Sequence, residues 1–352
     1  MVLGKWAVHL GSAGLFLMAE PGPQEPTQLE GRRLMPRDFF KRSTDGSQGV
    51  GGSIITDIQA SLNAITSFDI KVDGSFGRQT EQAVTGFQTA RGLPVTGTVS
   101  DTTWAALMHS SEPPIFERCL QVVASFEGTQ FTLIEGNFDG AGLTWGIIGF
   151  TLKNGEISSL LGEIQVKFTD LLSQAFGHDT AELLEKVGPN ASAKTRMDFA
   201  NSISGPGPQF RVAEPWRTGF DSLGRQREVQ RLQVERARAE YWTGIALRDA
   251  SALGLTEELD LLLMFDIAVQ DGGMGSNERL ASARERLNSR MSGLNRRSTI
   301  AEVVVDTISG PFKEDVRQRK MCIANGHGTV HRGNYELAGW ALADGFVPTL
   351  IG

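Results

Sequence analysis

Residues 123–150, VASFEGTQFTLIEGNFDGAGLTWGIIGF, constrain this chain more than any other stretch. Phe116, Leu120, Val123 and Glu127 recur at spacings of four, three and four, so one helix over Ile115–Glu127 carries all four on one face. Pro113 and Pro114 suit its entrance. After it, Phe131–Ile134 has the composition of a short strand, and Asn137–Gly142 (NFDGAG) that of a turn. Gly146 and Gly149 then flank Ile147 and Ile148, and small residues there permit close backbone approach. The pattern is a helix, a tight glycine-rich turn and a small strand element.

Two acids lie on this piece. Glu127 ends the helix and Asp139 follows twelve residues later, in the turn. A carboxyl pressed against apolar side chains loses hydration, which favours its protonated form. Glu127 shares the apolar stripe; a helix-end Glu reaching into solvent is the competing reading. Asp139-Gly140 reads equally as an ordinary hairpin turn. Thr144, five residues after Asp139, is near enough to share a water with it. Cutting a glycosidic bond needs two carboxyl groups on opposite sides of it, one protonated and one ionised. Glu127 and Asp139 can supply both.

The chain has 352 residues, room for about two domains. Net charge is −7 and the pI about 5.4, so no overall basic field draws it to nucleic acid or anionic lipid; a neutral or cationic polymer is an easier partner. No run of about 20 apolar residues is present, so no membrane span is expected. Cys119 and Cys322 are too few for a disulfide framework; one bridge and two buried free thiols are both open. Residues 1–52 read as a leader and flexible linker. Lys5, an apolar stretch and Ala19 loosely follow the order of a secretory signal, and PGPQEP, GRR and STDGSQGVGGS follow. A compact unit spans 53–108, HSSEPP (109–114) is a second linker, and 115–350 forms a larger, mainly helical domain.

In the first unit, Ile54, Ile58, Leu62 and Ile65 mark one helix. Ala83, Val84 and Phe87 mark a second, closed by Gly92, and Thr103, Trp104 and Leu107 open a third. The stretch VDGSFGRQTEQAVTGFQTARGLPVTGTVSDTTWAAL resembles the three-helix peptidoglycan-binding domain. Asp73-Gly74, Phe76-Gly77, Thr80, Ala83-Val84, Phe87-Gln88, Gly92-Leu93, Thr96-Gly97 and Thr103-Trp104 carry the resemblance. It implies binding to cell-wall glycan and peptide. Phe76 and Trp104 are the aromatic candidates for substrate contact, with core packing as the competing role.

In the second unit, EGNFDGAGLTWGIIGF is similar to the active-site segment of family 46 glycoside hydrolases, chitosanases with a lysozyme-like fold. In that family a Glu ends the first long helix, an Asp opens a DGxGxTxGIIGF segment, and a Thr within it holds the attacking water. These fall on Glu127, Asp139 and Thr144. Glu135 matches a second acid of a charged network. FDIAVQDGG (265–273) matches the long central helix, with Asp266 as a buried hydrogen-bonding residue. RQRKMCIANGHGTVHRGNY (317–335) resembles the closing helix and loop, making Arg317 and Arg319 candidates to pair with Glu135 or Asp139. Weaker echoes are Trp216, Gln230 and Tyr241. Two departures from the chitosanases bear on substrate preference: Ala141 stands where Arg is frequent, and the Glu127–Asp139 stretch is shorter.

The resemblance implies a mainly α, lysozyme-like catalytic domain with a small β element, preceded by the three-helix binding domain. Its expected activity is inverting hydrolysis of the β-1,4 glycan of peptidoglycan, with chitosan as the alternative polymer. Acid–base hydrolysis requires no metal or organic cofactor. The enzyme would act in the periplasm or outside the cell, by export, phage-style lysis or toxin secretion; the last would bring an immunity protein as partner. A monomer is expected. Other wall-acting classes fit less well. A zinc hydrolase needs clustered His and acidic ligands, and only His327 and His331 are close, outside a helical HExxH context. Neither cysteine sits in a recognisable nucleophile setting. A wall-binding protein without catalysis remains a distinct reading.

Overall fold

The computed structural model describes residues 37–128, 130–205, 211–275 and 277–350. The leader expected before residue 37, with its export signal, lies outside the described residues. Strand β1 (Asp38–Phe40) precedes helices α1 (Ser53–Ile65) and α2 (Arg78–Arg91). Strand β2 (Val99–Ser100) pairs antiparallel with β1 and leads into α3 (Asp101–Met108). Ile54, Ile55, Ile58 and Leu62 of α1 meet Ala83, Val84 and Phe87 of α2 and Trp104 and Leu107 of α3 in a buried core.

Two buried glutamines explain why the glycine turns sit where they do. Gln59 accepts from the amides of Asp73 (3.0 Å) and Gly74 (2.9 Å) and donates to Asp73, Ser75 and Thr80. Gln88 repeats the device one helix later. It accepts from Thr96 N (2.9 Å) and Gly97 N (3.0 Å) and donates to Thr98 O and Thr103 Oγ1. Each amide satisfies loop backbone that would otherwise be buried unpaired. Gly74 and Gly97 sit at φ of 71° and 73°, where glycine costs least.

The reading of residues 37–52 as flexible linker is corrected. Phe39, Phe40 and Val50 are buried, and Trp104 packs edge-on against Phe39 at 6.3 Å. Burying three large apolar side chains offsets the entropy of ordering the strand. Nor does the three-helix unit hang free. Asp38–Gly352 forms one compact unit. Gln48 N donates to Asn334 O at 2.6 Å. The Gln121 side-chain amide donates to Gly51 O (2.6 Å) and accepts from Ile54 N (2.9 Å). A Cβ on Gly52 would lie 2.6 Å from Gln121 Cγ, so glycine is what lets the two surfaces meet there.

Helix α4 (Ile115–Glu127) opens the larger part, followed by a three-stranded antiparallel sheet of β3 (Ile134–Glu135), β4 (Thr144–Trp145) and β5 (Phe150–Thr151). The strand expected at Phe131–Ile134 thus starts later. Residues before it are held as a turn by Leu133 N donating to Gln130 O, and Phe131 O is taken by Gln233. Helices α5 (Glu156–Lys167), α6 (Thr169–Phe176), α7 (Thr180–Val187), α8 (Ala193–Ile203), α9 (Trp216–Gly224) and α10 (Arg227–Arg236) follow. A wide π-helical stretch (Ala237–Ala246) continues into α11 (Leu247–Ala252). Next come α12 (Glu258–Asp271), α13 (Asn277–Arg286), α14 (Gly293–Asp306) and α15 (Lys313–Asn325). The hairpin β6 (His327–Val330) and β7 (Gly333–Glu336) closes the fold. The fold class is as expected: mainly α, with a small β element and a three-helix unit in front.

Helix α12 is buried on all sides, as an apolar sequence of its length should be. Phe265 on it meets Phe116 of α4 (5.7 Å) and Trp242 (5.6 Å). Arg118 and Glu258, both fully buried, join α4 to α12 at 2.6 Å. Among the described residues no helix is long and apolar enough to cross a membrane.

Candidate active site

Glu127 is the last residue of α4; Gly128, at φ 62°, ends the helix behind it. The apolar neighbourhood expected for Glu127 is corrected. Its side chain is 28% exposed, and Oε1 accepts from Arg319 Nη1 at 2.6 Å. The helix ends at Glu127, so its stem leaves the stripe and meets α15. Arg319 is itself only 1% exposed and lies over the Phe126 ring at 5.3 Å. Its Nε donates to Asp266 Oδ1 at 2.6 Å, and Lys320 Nζ takes the other oxygen at 2.7 Å. Lys320 also reaches Asp271 at 2.8 Å. Asp266 is fully buried; burial opposes its charge, but Arg319 and Lys320 overcome that and hold its carboxyl below the usual range. Burial works against the charge of Arg319 too, while Asp266 and Glu127 stabilise it more strongly.

Arg319 therefore pairs with Glu127 and Asp266, not with Glu135 or Asp139. Arg317 is corrected as well: it pairs with Glu302 of α14 and Glu314 of α15. Two positions apart on a helix, the two arginines diverge.

The sheet collects the other candidates. Glu135 and Thr144 are directly opposed on β3 and β4, so their side chains share one face. Glu135 is half-buried and has no hydrogen bond or ion pair among the described residues. Asp139 sits exposed in the intervening turn, its Oδ1 accepting from Ala141 N at 2.9 Å. Thr144 is held from two sides. Thr151, its neighbour on β5, gives both its amide and its hydroxyl to Glu156 Oε2 (2.8 and 3.0 Å). Glu156 is in turn bonded by the Tyr241 hydroxyl, whose proton is retained well above the usual phenol range because burial and Glu156 both disfavour a phenolate. Gln233, fully buried, accepts from Ile147 N at 3.0 Å and donates to Phe131 O at 3.1 Å. A Cβ on Gly146 would come within 2.4 Å of Gln233 Oε1, so glycine at 146 leaves room for this contact.

Asn137 braces the turn that carries Asp139, and the sequence did not single it out. Its amide N donates to Ser204 Oγ (2.8 Å) and its Nδ2 to Asn201 Oδ1 (2.6 Å), both at the end of α8. Its Oδ1 accepts from Gly142 N (3.0 Å), closing the turn that carries Asp139. An Asn before an Asp-Gly turn is the available signal; that α8 would receive it has none. Asn137→Ala is expected to lower kcat about tenfold or more, because misplacing a reacting group by about 1 Å costs up to a hundredfold. Stability should fall by only about 1 kcal/mol, as the lost bonds are partly exposed. Paired kinetics and urea unfolding check this; equal losses in both would make Asn137 merely structural.

Phe76 and Trp104, named as substrate contacts, are each 3% exposed. The Trp104 indole is enclosed by Phe39 and Phe40 and donates to Ser110 Oγ at 2.8 Å. Neither ring offers a face to a polymer, so both are corrected to core residues. Cys119 and Cys322 are free and buried. Burial raises the thiol of Cys119 and pushes that of Cys322 up to about 12, opposite to what a nucleophilic thiolate needs. His331 is committed to Phe126 O and Asp315, each at 2.9 Å.

Among solved structures, the chain is similar to a mutant chitosanase from Bacillus subtilis MY002 complexed with 6 GlcN: 15% identity over 62% of this chain and 97% of that one, TM-score 0.43. A family 46 chitosanase from Gynuella sunshinyii in complex with chitotetraose shows 17% identity over 59% and 84%, TM-score 0.41. A Burkholderia AP3 phage endolysin shows 18% identity over 66% and 98%, TM-score 0.17. No curated protein matches the chain. Residues 51–107, the segment of α1 to α3, match the family model of a putative peptidoglycan binding domain.

Proposed function

We propose that the protein is a cell-wall glycan hydrolase that cuts β-1,4 glycosidic bonds of peptidoglycan. One observation carries the reading: a half-open carboxyl, Glu127, held by a buried arginine that is itself locked by Asp266 and Lys320. Such bracing fixes a reacting group in one orientation before substrate arrives. The family match at 51–107 supports a glycan polymer as partner. Action on the wall, in the periplasm or outside the cell, follows from that partner.

Glu127 serves as general acid. Arg319 holds Oε1 and fixes the orientation of the carboxyl, which leaves Oε2 to pass the proton to the leaving oxygen. Oε2 has no partner among the described residues. Asp139, exposed in its turn, takes a proton from water. Thr144 orients that water, and Glu135 beside it adds negative charge to the same face. Attack by free water inverts the anomeric centre. The three-helix unit packs directly on the remainder, so it sets the direction in which polymer enters as well as its local concentration.

The test is product analysis on purified sacculi and on chitosan. Mass spectrometry should show new reducing ends from sacculi, first formed as the α-anomer by NMR. Asp139→Asn should lower that release about a hundredfold or more. Reducing ends from chitosan alone would replace peptidoglycan as substrate. Release of β-anomer would overturn the inverting mechanism.

A further inference from the structure

His331 and Arg332 form the two-residue turn of the β6–β7 hairpin, at φ of 47° and 69°. Such turns normally take Asn-Gly, and two successive left-handed non-glycine residues persist only where the surroundings determine them. The His331 ring supplies that determination. Its Nδ1 lies 2.9 Å from Phe126 O and its Nε2 lies 2.9 Å from Asp315 Oδ1. Both partners are acceptors, and a neutral imidazole has one N–H. Both contacts are hydrogen bonds together only in the imidazolium.

The two partners sit at informative places. Phe126 O belongs to the last turn of α4, next to Glu127, where helical carbonyls lack partners and positive charge is favoured. Tyr335, on the same hairpin, donates to Ser125 O one residue earlier. Asp315 lies one turn before Arg319 on α15, on the same face. His331 thus spans the end of the helix that bears Glu127 and the helix that bears its arginine.

We propose that His331 is a positioning residue: as an imidazolium it ties the carbonyl end of the Glu127 helix to the Arg319 helix and keeps those two side chains in register. The proposal rests on the hydrolase reading above. Asp315 is the charged group that the ring touches; α15 also brings Arg319, α4 brings Glu127, and the hairpin brings Arg332 and Glu336. Loss of the His331 proton breaks one of the two bonds, so turnover falls as pH rises. Positioning acts through Glu127 and Arg319, so the effect falls on kcat and leaves KM.

The test measures kcat and KM on sacculi from about pH 5 to about pH 9 for wild type, H331A and H331N. Imidazole and amide NMR on each protein runs alongside. H331A should lower kcat about tenfold or more with KM nearly unchanged. H331N tolerates the left-handed turn and keeps a donor for Phe126 O but loses the bond to Asp315; its kcat should match that of the deprotonated wild type, above H331A, with no alkaline decline. In wild type, both ring nitrogens should carry protons at the acidic end, and the Gly128 amide should shift as His331 titrates. An unchanged pH profile in H331N, or a Gly128 amide silent to that titration, overturns the proposal. A wild type that cuts neither sacculi nor chitosan defeats the hydrolase reading instead, while the amide titration still decides the tie.

Discussion

Glu127→Gln is expected to lower turnover about a hundredfold or more while sacculus binding persists. The amide oxygen of Gln can still accept from Arg319 Nη1, so the local geometry survives. What is lost is the proton that the leaving oxygen needs. Positioned acids contribute about a hundredfold to ten-thousandfold, and kcat should fall within that span. Binding is assigned to α1 to α3, which lie in the matched segment and do not contain Glu127. Reducing-end release and sedimentation with purified sacculi read the two properties separately. A variant that keeps kcat within about tenfold of wild type would leave Glu127 without a catalytic role. A parent protein that releases no sugar at all would be a wall-binding protein.

Asp266→Ala is expected to be the most destabilising single change at the site. Asp266, Arg319 and Lys320 are 0%, 1% and 0% exposed, so the variant leaves two buried cations with only Glu127 and Asp271 as counter-charges. Breaking a buried pair in this way costs about 3–5 kcal/mol, a large share of the roughly 5–15 kcal/mol that holds a domain together. Urea unfolding near neutral pH measures it, and a loss under about 1 kcal/mol would show that Lys320 and Arg319 find other partners. The pH dependence has a definite sign. The Asp266 carboxyl is held below its ordinary value, so its contribution is full above about pH 4, where an unfolded Asp ionises. It is lost as pH falls through the lower, folded value. Asp266→Asn should therefore flatten the acid limb of stability. Turnover should drop with it, because Arg319 is aimed at Glu127 by the same carboxylate.

The parts of the site legible in sequence are those encoded locally. The four-three-four spacing locates a helix ending at Glu127, and the observed helix is Ile115–Glu127. The Asp-Gly turns at 73–74 and 139–140 and the GIIG run were readable because glycine and aspartate act on their own backbone. The partners were not readable. Arg317 and Arg319 looked equivalent as a basic pair, yet a helix turns by about 200° over two residues, and only Arg319 faces Glu127. For Phe76 and Trp104 substrate contact and core packing were both open, because an aromatic in a binding unit carries no sign of whether it is covered; Phe39 and Phe40, from the segment read as linker, cover Trp104.

Short-range spacing was thus enough to establish a mainly helical chain, its helix ends, its tight turns and the acids they carry. Those features arise from forces acting within a few residues. Which cation meets Glu127, what orders Asp139 through Asn137, and how His331 joins α4 to α15 are contacts between residues 64 to 205 positions apart. Packing selects such pairs only when distant surfaces close on one another, and no local pattern records which surfaces those are.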